Sequence, residues 1–128
     1  MINEESEEVQ EEIEEEIEEE ENVFDGDMTL TSQNEVDDFG AMNYTHITGS
    51  LLIEDNIEIT DLNGLKTLIE VGNNLRIANT GIEDLDGLNG ITIIGGDFTI
   101  SGLNNLESLV GLNSLSTVGG DFIIRNCE

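Results

Sequence analysis

Gly95-Gly96-Asp97-Phe98-Thr99-Ile100 recurs almost unchanged as Gly119-Gly120-Asp121-Phe122-Ile123-Ile124. Looser copies are Gly72-Asn73-Asn74-Leu75-Arg76-Ile77, Thr48-Gly49-Ser50-Leu51-Leu52-Ile53 and Asp25-Gly26-Asp27-Met28-Thr29-Leu30. The second positions of the five copies are 26, 49, 73, 96 and 120, so the step is always 23 or 24. A constant step in that range marks stacked repeats, in which each unit buries its apolar side only against its neighbours.

Aligned at that step, the apolar residues fall into columns. The first strand of each unit reads Leu51/Leu75/Phe98/Phe122, then Ile53/Ile77/Ile100/Ile124. A second segment reads Ile59/Ile82/Leu106 and Leu62/Leu85/Leu109, a turn gives Leu65/Leu88/Leu112, and a return leg gives Leu68/Ile91/Leu115 and Val71/Ile94/Val118. Each coil is thus expected to hold a strand, a turn, a second short strand, a glycine-bearing corner and a third extended stretch. Apolar spacings of two and three, with no proline anywhere, suit parallel strands. Helical repeats would need amphipathic runs of about 10–15 residues, which the glycine density forbids. Gly64, Gly87 and Gly111 are expected to supply positive φ or close approach at one corner, and Gly72, Gly95 and Gly119 at another.

The motif Ile94-Gly95-Gly96-Asp97-Phe98-Thr99-Ile100, together with Leu62-Asn63-Gly64-Leu65 and its later copies, resembles the leucine-rich-repeat-like coils of receptor L domains. The resemblance covers about residues 25–126. It implies an all-β fold, a right-handed parallel β-solenoid of about four coils, each one step of 23–24 long. It also implies a non-catalytic recognition or adhesion module, cell-surface or extracellular, of the kind found in bacterial surface proteins. Cysteine-rich modules like those of the animal receptors have no counterpart here, so receptor signalling does not carry over. The alternative is a structural spacer, or a fragment of a longer repeat protein, with no specific ligand.

The flanks of the repeat read differently. Ser32-Gln33-Asn34-Glu35 has capping-box spacing, and Val36 and Phe39 follow at helical spacing, so a short N-terminal capping helix is expected. Residues 1–24 read as an acidic leader, disordered or weakly helical, and 25–128 as the repeat domain. Positions 1–21 hold 13 Glu and no basic residue, with Val9, Ile13 and Ile17 at steps of four. Like charges at i,i+4 oppose a helix there, which favours a solvated tail. At the other end nothing follows Phe122 and Ile124 to cover them. A truncated repeat array, an end-to-end pairing of two chains and a short cap all fit that pattern, and truncation fits best.

Charge narrows the partners. The chain has 30 acidic residues and only three basic ones, Lys66, Arg76 and Arg125. Seventeen of the acidic residues lie beyond the leader, so the repeat region is itself strongly anionic. Nucleic acid and anionic membranes are excluded as partners on that ground. No apolar run is long enough for membrane insertion, and the N-terminus lacks a signal-peptide layout. One His and one Cys cannot build a thiolate–imidazole zinc site. His46 has no nucleophile motif beside it and reads as a turn residue, so no enzyme is expected.

Candidate binding residues are the outward positions of the first strand. They read Thr29/Leu52/Arg76/Thr99/Ile123, then Thr31/Glu54/Ala78/Ser101/Arg125, a face that a protein or glycan partner could cover. An ordinary solvated sheet face would show the same scatter of polar residues. The column Ser32/Asp55/Asn79/Gly102/Asn126 reads as a turn-stabilising ladder. Asp25, Asp27, Asp97 and Asp121 recur at one corner, and Asp84 and Asp86 lie near another, so structural calcium is conceivable. No EF-hand or calcium β-roll motif accompanies them, and no cofactor is expected.

Overall fold

A computed structural model of the chain describes residues 21–127. The expected leader therefore lies, up to residue 20, outside the described residues. What is described is mostly strand, in two parallel sheets with one short α-helix. One sheet holds β1 (Val23–Phe24), β3 (His46–Ile47), β5 (Glu70–Val71), β7 (Ile93–Ile94) and β9 (Thr117–Val118) in that order. The other holds β2 (Met28–Leu30), β4 (Leu51–Asn56), β6 (Leu75–Thr80), β8 (Phe98–Ser101) and β10 (Phe122–Arg125). The chain alternates between the sheets, one strand in each, so every strand pairs with the strand two places on.

Register follows the repeat step. Ile53 pairs with Ile77, Ile77 with Ile100, and Ile100 with Ile124. Leu51, Leu75, Phe98 and Phe122 form the neighbouring row. Because side chains alternate along a strand, both rows face inward together. From Leu51 and Ile53 as far as Phe98 and Ile100, they meet Leu62, Leu65, Leu68 and Val71 of one repeat and Leu85, Leu88, Ile91 and Ile94 of the next in a single buried cluster. The first sheet begins at Val23, ahead of the expected start of the body, because Val23 and Phe24 pair with His46 and Ile47.

The segment from Ile59 to Leu62, expected as a second short strand, is not a strand. Its apolar residues are three apart, and three is the spacing of i→i+3 turns. Successive N–H groups reach back by that interval: Ile59 to the Asn56 carbonyl, Leu65 to Leu62, Leu68 to Leu65. The same bonds recur at Leu88 to Leu85 and Ile91 to Leu88. Asn63–Leu65 is a full 3-10 turn. This leg fills the core with leucines without adding a third sheet.

The first repeat differs where expected. α1 (Gln33–Ala41) is capped by Ser32, whose hydroxyl accepts from Glu35 N–H at 3.1 Å. The Glu35 carboxylate reaches back to Thr31 N–H at 2.7 Å, a capping box displaced by one position. Val36 and Phe39 are buried, and α1 packs on the Asn63–Leu65 turn. Gly64 permits this contact, since a Cβ there would strike the Val36 carbonyl. At the other corner a Cβ on Gly95 would strike the Gly72 carbonyl of the preceding repeat.

Burial runs down at the far end. Phe98 and Ile100 are fully buried, whereas Phe122 and Ile124 in the same rows are each 45 % exposed. Phe122 covers Phe98 by stacking on it, centroid to centroid at 4.9 Å. Position in the stack therefore sets the energetic weight of a side chain. Ile77→Ala is expected to cost about 2–5 kcal/mol in urea unfolding, and Ile124→Ala under about 1.5 kcal/mol, although both stand in one column.

Candidate functional site

The outward positions of β2, β4, β6, β8 and β10 are brought together as two adjacent rows. Thr29, Leu52, Arg76, Thr99 and Ile123 pair in sequence across the five strands. Glu54, Ala78, Ser101 and Arg125 form the next row. At a strand spacing of about 4.8 Å the first row spans roughly 19 Å. Thr29 and Arg125 are exposed, and Leu52, Arg76, Thr99, Ile123, Glu54 and Ser101 are half-buried. Ala78, in the second row, is fully buried.

Charge on this face is partly cancelled within it. Arg76 Nε lies 3.3 Å from Glu54 Oε1, one strand away. Both side chains keep contact with solvent, so the pair holds the guanidinium in place more than it stabilises the fold, at about 0–1 kcal/mol. The result is a face of mixed polar and charged groups with two aliphatic side chains, Leu52 and Ile123, three strands apart.

His46 lies elsewhere. It is on β3, in the other sheet, rather than in a turn. Its Nδ1 is 2.8 Å from Thr45 Oγ1, and its Nε2 is 3.9 Å from Glu70 Oε1. Among the described residues no three His, Cys, Asp or Glu side chains gather as a metal site. Of the corner aspartates, Asp25, Asp27 and Asp97 are engaged with the backbone or with a hydroxyl. Asp27 Oδ1 accepts from Ser50 N–H, Asp97 Oδ1 accepts from Asp121 N–H, and Asp25 Oδ1 accepts from the Thr48 hydroxyl. Asp84 Oδ1 accepts from Asp86 N–H in a local turn. No described helix is long and apolar enough to cross a membrane.

No protein-family model, curated protein or solved structure matches this chain.

The corner column shows why its residue types recur. Asp55, Asn79, Gly102 and Asn126 all have positive φ, at 66°, 58°, 69° and 57°. Asn, Asp and Gly tolerate that region best. Asn79 Nδ2 donates to Asp55 Oδ1 at 3.2 Å, and Asn79 Oδ1 fills the space that a Cβ on Gly102 would need. Ser32, first in the column, is extended and caps α1 instead.

Concavities among the described residues flank the sheets. One of about 380 Å³ lies at the N-terminal end, lined by Met28, Leu30, Phe39, Met42 and Tyr44, with Glu35 and Asp38 also on its wall. One of about 330 Å³ lies at the C-terminal end against Leu106, Leu109 and Ile124. Another, about 180 Å³, sits at the Asn79–Gly102 corner beside Thr80, Asn104 and Asn105. Outward residues of the first sheet were not among the sequence candidates, yet Val23 is 45 % exposed and Ile93 37 %. The signal was present: these residues alternate with the buried column Ile47/Val71/Ile94.

Thr80 is 2 % exposed, and its hydroxyl has no hydrogen-bond partner among the described residues. Removing an unsatisfied buried hydroxyl while keeping its shape should relieve a desolvation cost. Thr80→Val is therefore expected to raise stability by about 1 kcal/mol in urea unfolding, and a loss of that size would show that the hydroxyl is engaged.

Proposed function

We propose that the chain is a right-handed parallel β-solenoid related to the leucine-rich-repeat-like coils of receptor L domains. We further propose that it serves as a non-catalytic recognition or adhesion module of a cell-surface or secreted protein. Parallel strands joined by a crossover connection are right-handed in nearly all proteins, which supports the handedness. The observation that carries the function is the alignment of Thr29, Leu52, Arg76, Thr99 and Ile123 in register across five strands, beside Glu54, Ser101 and Arg125. Such a face is held rigid by the sheet beneath it and offers flat complementarity without a cleft. That geometry suits a protein or glycan surface better than a small molecule. The strong negative charge favours partners with basic groups.

A spacer with no ligand is the second reading. It is favoured by the corner ladders, where the most regularly repeated polar side chains bond only to the neighbouring repeat.

The two readings part on a substitution in the middle of the face. Immobilised protein is expected to retain components of a cell-surface extract, with or without chelator. Thr99→Trp should abolish retention while moving Tm by less than about 2–4 °C, the shift of a sub-kcal/mol change. Thr117→Trp, at an exposed position of β9 in the other sheet, should leave retention intact. Retention of nothing supports the spacer, and equal loss in both variants overturns the assignment to this face.

A further inference from the structure

Asn-Gly steps occur twice in the repeats, at Asn63-Gly64 and Asn89-Gly90. Asparagine amides are among the thermolabile groups of proteins, and a glycine that follows one leaves the next backbone nitrogen unshielded by a side chain. The two steps share that chemistry and differ in how the fold holds them.

Asn63-Gly64 is clamped. It opens the 3-10 turn Asn63–Leu65, which packs against α1. Asn63 N–H donates to Asp61 Oδ1 at 3.1 Å, and its carbonyl accepts from Lys66 N–H at 3.2 Å. Gly64 lies so close to the Val36 carbonyl that a Cβ would strike it. Asn89-Gly90 has none of these holds. Its turn is closed by one bond, from Ile91 N–H to the Leu88 carbonyl at 3.0 Å. Asn89 is exposed, and among the described residues neither its own polar groups nor Gly90 N–H makes a hydrogen bond. One repeat earlier the place of Gly90 is taken by Thr67, whose hydroxyl ties the turn to the Tyr44 carbonyl at 2.8 Å. Gly90 has no side chain with which to repeat that tie.

We propose that Asn89-Gly90 is a self-modifying site, at which the chain deamidates through a cyclic imide. The Gly90 nitrogen, its proton lost to hydroxide, attacks Asn89 Cγ. A C–N bond forms, and the side-chain nitrogen takes up a proton and leaves as ammonia. Water then adds to one of the two ring carbonyls. Opening at Cγ gives aspartate, and opening at the backbone carbonyl gives isoaspartate, whose main chain runs through Cβ and Cγ. One water enters and one ammonia leaves, with no change of oxidation state.

Ring closure requires Cβ and the Gly90 nitrogen to eclipse about the Asn89 Cα–C bond. Gly90 lacks the positive φ of a type II turn, which leaves the type I form, with ψ of about −30° at Asn89, far from eclipsed. The 3-10 turn at Asn63 has a similar ψ, so each site must open before it reacts. Opening at Asn89 breaks a single turn bond, whereas opening at Asn63 also disturbs the contact with α1. Local opening is easiest where such contacts are fewest. The product matters to the fold because Leu88 and Ile91, on either side, are buried. Isoaspartate lengthens the backbone between them and breaks the bond that sets their spacing. This inference does not depend on the recognition face.

The test incubates the full chain at neutral and mildly alkaline pH and follows both sites by peptide mass spectrometry, with isoaspartate identified by enzymatic methylation of its carboxylate. In the folded chain Asn89 is expected to convert at least about tenfold faster than Asn63, and in urea the two should convert at similar rates. The rate at Asn89 should rise with pH, as more of the Gly90 N–H is deprotonated. Gly90→Ala should slow it severalfold by shielding the nitrogen. Gly90 lies outside the left-handed region and its added Cβ would sit 3.1 Å from the Leu68 carbonyl oxygen, so the turn keeps its shape with a small adjustment. The isolated isoaspartate form should unfold at lower urea than the untreated chain, whereas Asn89→Asp, which keeps the backbone length, should not. Conversion of Asn63 as fast as Asn89 in the folded chain, no conversion at Asn89 where the urea sample converts, or an unchanged rate in Gly90→Ala overturns the proposal. An isoaspartate form that unfolds with the untreated chain overturns its consequence for the fold.

Discussion

Each repeat rests on its neighbours through one constraint: strands a full repeat step apart must pair in register, so that aliphatic side chains meet their counterparts one step along. A slip by a single position would turn Ile53, Ile77 and Ile100 outward and bring Leu52, Arg76 and Thr99 into the core. Burying the Arg76 guanidinium among leucines would be prohibitive. Register is therefore fixed by the pattern of the chain as much as by the backbone hydrogen bonds. The core follows: Leu51, Leu75 and Phe98 are wholly buried because each has an apolar neighbour on both sides.

Close stacking makes demands on the corners. Backbone must pass over backbone at the spacing of a sheet, which leaves no room for a Cβ at Gly95 over Gly72. Where a side chain is tolerated it is put to use. The ladder from Asp27 through Ser50, Asn74 and Asp97 satisfies the N–H of each following repeat and ties adjacent corners together. Asp, Ser and Asn are interchangeable there because each offers one oxygen at nearly the same reach. That is why the polar columns vary in residue type while the apolar columns hardly do.

Most of the architecture was legible for this reason. The step, the inward rows, the turn ladder at Asp55, Asn79 and Gly102, and the short helix after Ser32 all leave local marks. The leg through Ile59, Leu62 and Leu65 did not. Its columns announce burial, but burial does not say whether backbone groups bond across repeats or back along the chain to the preceding turn. The outward rows were legible as positions, since alternation places them. Their chemistry was not, because Thr, Ser and Ala on a sheet carry no mark of a ligand. The ion pair of Arg76 with Glu54, and the bonds from Asn22 N–H to Thr45 Oγ1 and from Gly26 N–H to Thr48 Oγ1, depend on which strands become neighbours, and appear only in three dimensions.

In-register stacking can be observed without perturbing the chain. Methyl-resolved NMR of the isoleucines should show strong cross-peaks from Ile53 to Ile77 and from Ile77 to Ile100, and none linking Ile53 to Ile100 directly. Neighbouring strands lie about 4.8 Å apart, and alternate strands about twice that. Cross-peaks from Ile77 to Thr99 in place of Ile100, or the absence of contacts between β4 and β6, would contradict the account.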